Sequence, residues 1–378
     1  GKTMKKAIFV YIYGYLPGIK YGGPVTSIFN FTEHFGDEYD VYIVCSNHDH
    51  GEEEKYKNIK SGWNKVGKAN VCYLPEKEYS EGLFFKLMKD KSVQMVYLTG
   101  VFSYKLNHSA ISAARKLNIK TVIATRGEIC KNILAMKSYK KLPYLAVMKM
   151  IGEFKNCYFQ VTSDEEESQL QKYLGISKEK IIYLPNIHGK AMDIQRPEKE
   201  KGAARILFIS RVHPKKNLLD AIKAASKVKG KLVFDIYGPI EDTEYWNDCQ
   251  KEIQKTPRNV TINYKGKLDM DGARRSYYSY HAFLFPTLSE NYGHVIVESM
   301  IADCPIIISK GTTPWDDADQ KAGYVVKLHD IDDLSEAINK IIDMSSEEYE
   351  KLQDSLRKYR DEKLKLNTLL AEYKKMIE

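Results

Sequence analysis

The chain has no run of about 18 apolar residues, so no segment is expected to cross a membrane as a helix. Its six cysteines, Cys45, Cys72, Cys130, Cys157, Cys249 and Cys304, include no Cys-x-x-Cys pair. Several sit in apolar runs, where a thiol behaves as a small hydrophobe; this fits a reducing compartment and supplies no metal site. No low-complexity tract is present, and no nucleic-acid recognition motif with the required spacing. The opening Gly1-Lys2-Thr3 lacks the upstream glycine of a phosphate loop. Lys5-Lys6 and the following "AIFVYIYGYLPG" superficially resemble a signal peptide. Its tyrosines, its glycine and proline, and the missing small-residue cleavage site fit a first buried strand instead. No Gly-x-Gly-x-x-Gly follows that strand, which weakens a dinucleotide dehydrogenase.

What is present is a globular composition in two parts. At 378 residues the chain exceeds one ordinary core and suggests two domains. With 43% hydrophobic and 29% charged residues it has enough apolar matter for both. The net charge of +8 favours anionic small molecules or a lipid surface. Short apolar runs alternate with helical patterns. The strands expected in the first half are Ala7–Tyr13, Val41–Ser46, Val71–Leu74, Met95–Thr99, Thr121–Thr125, Tyr158–Thr162 and Ile181–Leu184. The pattern lapses at 188–204, the expected linker, and restarts at Ile206–Ser210, Leu232–Tyr237, Val260–Tyr264, Ala282–Phe285, Ile306–Ser309 and Tyr324–Val326. Continuous apolar strands separated by helices imply parallel sheets covered on both faces. The expectation is therefore two doubly wound α/β domains, 1–187 and 205–357, followed by a charged helical tail.

Ligands of such sheets bind beyond the carboxyl ends of the strands. Those ends hold Gly22-Gly23, Thr99-Gly100, Arg126, Arg211, Gly238 and the stretch from Thr287 to Gly293. In "ISRVHPKKNLLDAIKAAS" a strand ends just before Arg211, and Lys216 follows at a helix start. A guanidinium and an ammonium beside helix amides suit a pyrophosphate. Taken alone, the same stretch reads as a solvated basic loop, as most such stretches are, and it points to a pyrophosphate only with a partner. In "FLFPTLSENYGHVIVESMIADCPIIIS" Glu290 stays in the loop, and Glu298 falls roughly 7.5 Å along the next helix. Glu298 sits among Val295, Ile296, Val297, Met300 and Ile301, where an unpaired carboxylate is costly. The amides of Tyr292, Gly293 and His294 lie between the two acids. A ligand with a central anion and a hydroxylated group at each end matches this layout.

This Glu-x7-Glu pattern after "FPTLSENYG", with the Arg-x4-Lys loop before it, resembles glycosyltransferase family 4. "YGGPVTSIFNF", "ATRGEI" and "TTPWDDADQKAGYVV" extend the resemblance over nearly the whole chain. The resemblance implies a GT-B fold of two facing Rossmann-like domains, with a final helix, 358–378, crossing back to the N-terminal domain. It implies a retaining, metal-independent transfer of a hexose from a nucleotide-diphosphate sugar, with no further cofactor. UDP-sugars are favoured, and GDP-sugars are the alternative. By carry-over, Glu290 contacts donor-sugar hydroxyls and Glu298 the ribose. The amides of Asn291, Tyr292, Gly293 and His294 hold sugar and phosphates, and Arg211 and Lys216 neutralise the pyrophosphate. Gly22, Gly23 and Gly238 approach the donor, and Lys267-Leu268 faces the base. Thr99 stands where many members have a histidine, which leaves Thr99, Gly100 and Arg126 as acceptor-side candidates. "PNIH" lacks the Asn-Gly common at the domain junction, and Asn217 replaces the usual glycine after Lys216. Two other readings remain on the same fold: a nucleotide-sugar epimerase and a catalytically silent scaffold.

The expected acceptor is a glycan or lipid-linked oligosaccharide in surface polysaccharide biosynthesis, such as capsule or lipopolysaccharide. Residues 131–156 mix six lysines with Leu, Met, Tyr and Phe. They read either as a basic amphipathic pair on anionic lipid or as ordinary helices with lysines in water. The expected location is the cytoplasm, with peripheral contact at the inner face of the membrane. No nucleic-acid partner is expected. Asp316, Asp317 and Asp319 could pass for a metal motif but are expected on a surface turn.

Overall fold

The structure, a computed structural model, describes residues 4–18, 20–290 and 292–378. It divides into two compact units, Gly1–Gly189 with Asn367–Glu378, and Lys190–Leu366. The first unit runs β1 (Ala7–Tyr11), α1 (Gly23–Phe35), β2 (Asp40–Cys45), β3 (Trp63–Val66), β4 (Ala69–Tyr73), α2 (Glu81–Met88), β5 (Val93–Thr99) and α3 (Tyr104–Lys116). It continues with β6 (Lys120–Ala124), α4 (Lys131–Ala135), α5 (Ser138–Ile151), β7 (Tyr158–Val161), α6 (Asp164–Leu174) and β8 (Ile181–Tyr183). Its eight-stranded sheet has the order β3-β4-β2-β1-β5-β6-β7-β8. Every residue of β1 is buried, which is why that run carries no polar alternation.

The second unit runs β9 (Ala203–Ile209), α7 (Leu218–Ala225), β10 (Lys231–Tyr237), α8 (Thr243–Gln254), β11 (Val260–Tyr264), α9 (Met270–Ser276), β12 (Ala282–Phe285) and α10 (His294–Ile301). It ends with β13 (Ile306–Ser309), β14 (Gly323–Val326), α11 (Ile331–Asp343) and α12 (Ser346–Leu364). Its sheet, order β11-β10-β9-β12-β13-β14, is parallel throughout. The last helix, α13 (Leu366–Ile377), belongs with the first unit. The architecture is GT-B: two doubly wound parallel-sheet α/β domains, with the closing helix returned to the first. Among the described residues no helix is long and apolar enough to cross a membrane.

Three features depart from the sequence reading. First, β3 is an additional edge strand, antiparallel to β4 across Gly67-Lys68. Trp63-Asn64-Lys65-Val66 lacks the apolar continuity of the other strands, because no residue of β3 is fully buried. Second, residues 190–204 are no free linker but are counted with the second unit. Arg196 donates to the carbonyls of Tyr280 and Ala302, each at 2.6 Å, and of Tyr277 at 3.1 Å. Lys199, only 3% exposed, donates to the carbonyls of Ile342 and Met344 at 2.8 Å, satisfying the end of α11. Burial pulls its ammonium down to about 8. His281 accepts from the Arg205 amide through Nδ1 at 3.0 Å and faces the Pro197 carbonyl with Nε2 at 3.0 Å. That pair of partners selects the neutral tautomer protonated on Nε2, and burial lowers the ring to about 4. The charged residues that read as a linker are therefore donors to helix ends.

Third, the tail is not one helix from 358 onward. Lys365 adopts a left-handed φ of 46° and ends α12, so 358–364 continue along the second unit. α13 then packs Tyr373, 1% exposed, into the first unit. Its hydroxyl donates to the Pro185 carbonyl at 2.7 Å and accepts from Gln160 at 3.0 Å.

Candidate functional site

In a doubly wound sheet the crevice lies where strand order reverses. In the second unit that point falls between β9 and β12, which pair directly. The loops leaving these two strands therefore emerge side by side, although 74 residues separate their key positions. Leu288 donates its amide to the Lys215 carbonyl at 2.9 Å, tying one loop to the other. Lys216 closes a short 3₁₀ turn, Pro214–Lys216, and its ammonium is paired with the Glu290 carboxylate. The two side chains are 14% and 16% exposed, so water screens this pair little. Glu290 also accepts from Thr287 Oγ1 at 3.2 Å, and its amide donates to the Thr312 carbonyl at 2.8 Å. Asn217 takes the left-handed conformation at φ 61°. Asparagine tolerates that region, and its amide donates to the Pro286 carbonyl at 2.8 Å.

Arg211 does not converge on the Lys216–Glu290 pair. It is half exposed and bonded to Glu241 at 3.0 Å, a partner the sequence reading missed. Exposed pairs of this kind contribute about 0–1 kcal/mol, so an incoming anion can recruit the guanidinium cheaply. Gly238 follows β10 at φ 142°, and a Cβ there would lie 1.7 Å from the Ser210 carbonyl oxygen, just ahead of Arg211. Only glycine fits that approach. Its amide bonds to the Gly266 carbonyl at 2.8 Å, joining the loop that carries Lys267 and Leu268. Lys267 is exposed, whereas Leu268 turns partly into the core.

Helix α10 begins after Gly293 without a capping side chain. So does α1 after Gly22, with Gly23 as its first residue. α3, α4, α5 and α7 likewise begin without a capping side chain, whereas α2, α6, α8, α9, α11 and α12 are capped by Ser80, Ser163, Asp242, Asp269, Asp330 and Ser345. An uncapped amino end presents amides and a positive dipole to an anion. Tyr292 is held by Trp315, whose Nε1 donates to its carbonyl at 2.6 Å. His294 is exposed at the helix start, and Asn291 lies outside the described residues, as do Gly1, Lys2 and Thr3.

Glu298 lies on the fifth residue of α10 and accepts from the Tyr277 hydroxyl at 3.2 Å. Burial pushes its carboxyl up to about 7, opposed by the Tyr277 bond and by the charge of Arg274. Unfolded, the group ionises near 4.5. Below that pH it is protonated in both states and leaves stability unchanged. Between about 4.5 and 7 the unfolded chain ionises first, so stability falls with rising pH and then levels off. Glu298→Gln is therefore expected to gain up to about 3 kcal/mol over the parent between pH 5 and pH 8. Denaturant titrations at both pH values check this; a stability difference that does not change with pH would contradict it.

In the first unit the order reverses between β1 and β5. The loops there carry Gly22-Gly23 and Thr99-Gly100. Among the described residues the buried Thr99 hydroxyl has no hydrogen-bond partner. Gly100, at φ 100°, packs so closely on Glu128 that a Cβ would meet its carboxylate at 2.9 Å. Glu128, missed in the sequence although "ATRGEI" contains it, accepts from the Val101 amide at 2.5 Å, and burial raises its carboxyl. Arg126 has a left-handed φ of 53°, strain that its neighbours must hold in place. It donates to Asn186 Oδ1 at 2.6 Å.

Asp316, Asp317 and Asp319 serve structure. Asp316 accepts from the Gly311 amide at 3.0 Å and Asp319 from the Val325 amide at 2.9 Å. Asp317 pairs with Lys363 and accepts from Tyr359 at 2.6 Å. His108 lies within α3, bonded to Glu153 at 2.9 Å. Among the described residues no group of three or more His, Cys, Asp or Glu side chains is placed to hold a metal ion.

Comparison of folds gives full-length similarity to glycosyltransferase structures. A glycosyltransferase from Rickettsia africae superposes with TM-score 0.57 at 15% identity, covering 99% of this chain and 98% of that one. HepE of Anabaena, in complex with UDP and glucose, gives 0.53 at 10% identity, covering 98% and 100%. A TarM variant of S. aureus, in complex with fondaparinux, alpha-GlcNAc-glycerol and UDP, gives 0.52 at 13%, covering 98% and 99%. No curated protein matches the sequence significantly. Residues 190–360 match the family model described as "Glycosyl transferases group 1". The segment that carries Arg211, Lys216, Glu290 and Glu298 is thus similar in sequence to group 1 glycosyl transferases, and the whole chain shares the GT-B fold of such enzymes.

Proposed function

We propose that the protein is a retaining glycosyltransferase of the family 4 type, transferring a hexose from a nucleotide-diphosphate sugar to a glycan or lipid-linked acceptor in surface polysaccharide biosynthesis. The observation that carries this reading is the Lys216–Glu290 pair at the strand-order reversal of the second unit, beside the uncapped start of α10. Lys216 and Arg211 bind the pyrophosphate and offset the charge that develops on the leaving diphosphate. The first amides of α10 assist them as fixed donors. Glu290 accepts hydrogen bonds from the sugar hydroxyls and orients the anomeric carbon. Glu298 accepts from the ribose hydroxyls, and Lys267 and Leu268 border the base. Thr99, Gly100 and Arg126 serve the acceptor from the first unit. The acceptor hydroxyl attacks from the face the diphosphate leaves, so configuration is retained. The UDP bound by HepE and by the TarM variant favours a UDP-sugar over a GDP-sugar.

Because two cations and helix amides supply the charge stabilisation, transfer is expected to survive EDTA within about twofold. A strict requirement for added Mg²⁺ or Mn²⁺ would count against the mechanism. The reading itself is tested by calorimetric titration with UDP, GDP, ADP and NAD. Saturable binding of one nucleoside diphosphate, weakened in Glu298→Ala, is expected. Absence of binding by all four would favour a silent scaffold, and donor turnover without any acceptor would favour an epimerase.

A further inference from the structure

We infer that the α4–α5 face of the first unit is a docking surface for an anionic lipid bilayer. This adds a partner to the reading above and does not depend on the reaction. Among the described residues ten large hydrophobic side chains are exposed, and five of them, Met136, Tyr139, Val147, Met150 and Ile151, lie on this one segment. At about 100° per residue, Tyr139, Pro143, Ala146, Val147, Met150 and Ile151 fall on one arc of α5. Leu145 and Met148 on the opposite arc are buried in the unit's core. The helix is apolar on both sides, and only one side is covered. A contiguous uncovered apolar face on a globular protein marks an interaction site.

Charge identifies the occupant. No Asp or Glu occurs from Ile129 through Gly152, while Lys131, Lys137, Lys140, Lys149 and Lys155 are exposed along the segment. Lys141 is the exception, turned in to donate to the Ile133 carbonyl at 2.7 Å. Beside the stripe, a cleft between α5 and α6 is lined by Leu142, Ala146, Met150 and Tyr173, with Lys149 and Lys172. One exposed carboxylate borders the segment, that of Glu165 in α6, which accepts from the Lys131 amide at 3.2 Å. Along α5 itself the apolar side chains are framed by lysines alone, which matches acyl chains beneath a layer of phosphate headgroups. Lysine stems can lie along the apolar surface while their ammonium groups reach the phosphates. A second copy docked about a two-fold axis would set this lysine frame against itself, and like charges across an interface repel.

The test is flotation of the full chain with vesicles of phosphatidylcholine alone and of phosphatidylcholine containing about one-third phosphatidylglycerol. The parent protein is expected to partition onto the anionic vesicles at least about tenfold more strongly. Val147→Glu with Met150→Glu places charge on exposed positions and is expected to reduce that partition about tenfold or more. Lys137→Glu with Lys140→Glu, which leaves the apolar stripe intact, is expected to erase the preference for phosphatidylglycerol. Failure of the parent to bind either vesicle would overturn the inference. So would equal binding by parent and both variants, or a parent dimer that the apolar variant dissolves without change in vesicle binding.

Discussion

Glu290→Gln is expected to lower the turnover of sugar transfer by about 10²–10³-fold, corresponding to roughly 3–4 kcal/mol of lost transition-state stabilisation. The amide keeps the shape of the side chain and can still accept from Lys216 and from Thr287 Oγ1, whose present distance is 3.2 Å. What it loses is the full negative charge that fixes the Lys216 ammonium and that the proposed function sets against the sugar hydroxyls. Removing the carboxylate leaves a largely buried cation less compensated. A stability loss of about 1–2 kcal/mol accompanies the change, and Glu290→Ala is expected to lose more of both. Steady-state kinetics with parallel denaturant curves separate the two effects. Full turnover in a folded Glu290→Gln protein would remove the assigned role.

Arg211→Ala combined with Lys216→Ala is expected to weaken nucleoside diphosphate binding by about 10²–10³-fold, at about 1.5–3 kcal/mol for each charge-assisted contact. The two single variants differ for structural reasons. Arg211 sits in an exposed pair with Glu241, so its removal costs the fold little. Lys216 is largely buried against Glu290, so its removal strands that carboxylate. Lys216→Ala therefore combines weaker binding with lower stability, whereas Arg211→Ala weakens binding at nearly unchanged stability. Calorimetry on the double variant decides: affinity equal to the parent would place the pyrophosphate elsewhere.

Much of the fold was legible because the strands are buried on both faces. Ile306–Ser309 and Ala7–Tyr13 read as strands from apolar content alone, the structure ending the latter at Tyr11, and Val260–Tyr264 ends where its pattern ends. The carboxyl ends of the runs Ile206–Ser210, Leu232–Tyr237 and Ala282–Phe285 pointed to Arg211, Gly238, Glu290 and the start of α10, since a parallel sheet puts all its carboxyl ends on one edge. Trp63–Val66 was not legible, because an edge strand with partly exposed faces needs no apolar run. The break at Lys365 was hidden for a related reason. The tail keeps its helical spacing through the break, and one left-handed residue redirects it.

The sequence by itself determined which residues stand at strand ends and that helices begin near Gly23 and Gly293, because local periodicity and glycine positions are properties of neighbouring residues. Only the tertiary structure decided the partners. Pairing of β9 with β12 brings Lys216 to Glu290, while Arg211, five residues before Lys216, is drawn to Glu241. It also decided that 190–204 is stitched to the second unit by Arg196 and Lys199. Strand order and side-chain pairing depend on which distant segments bury apolar surface together, and sequence spacing does not encode that proximity.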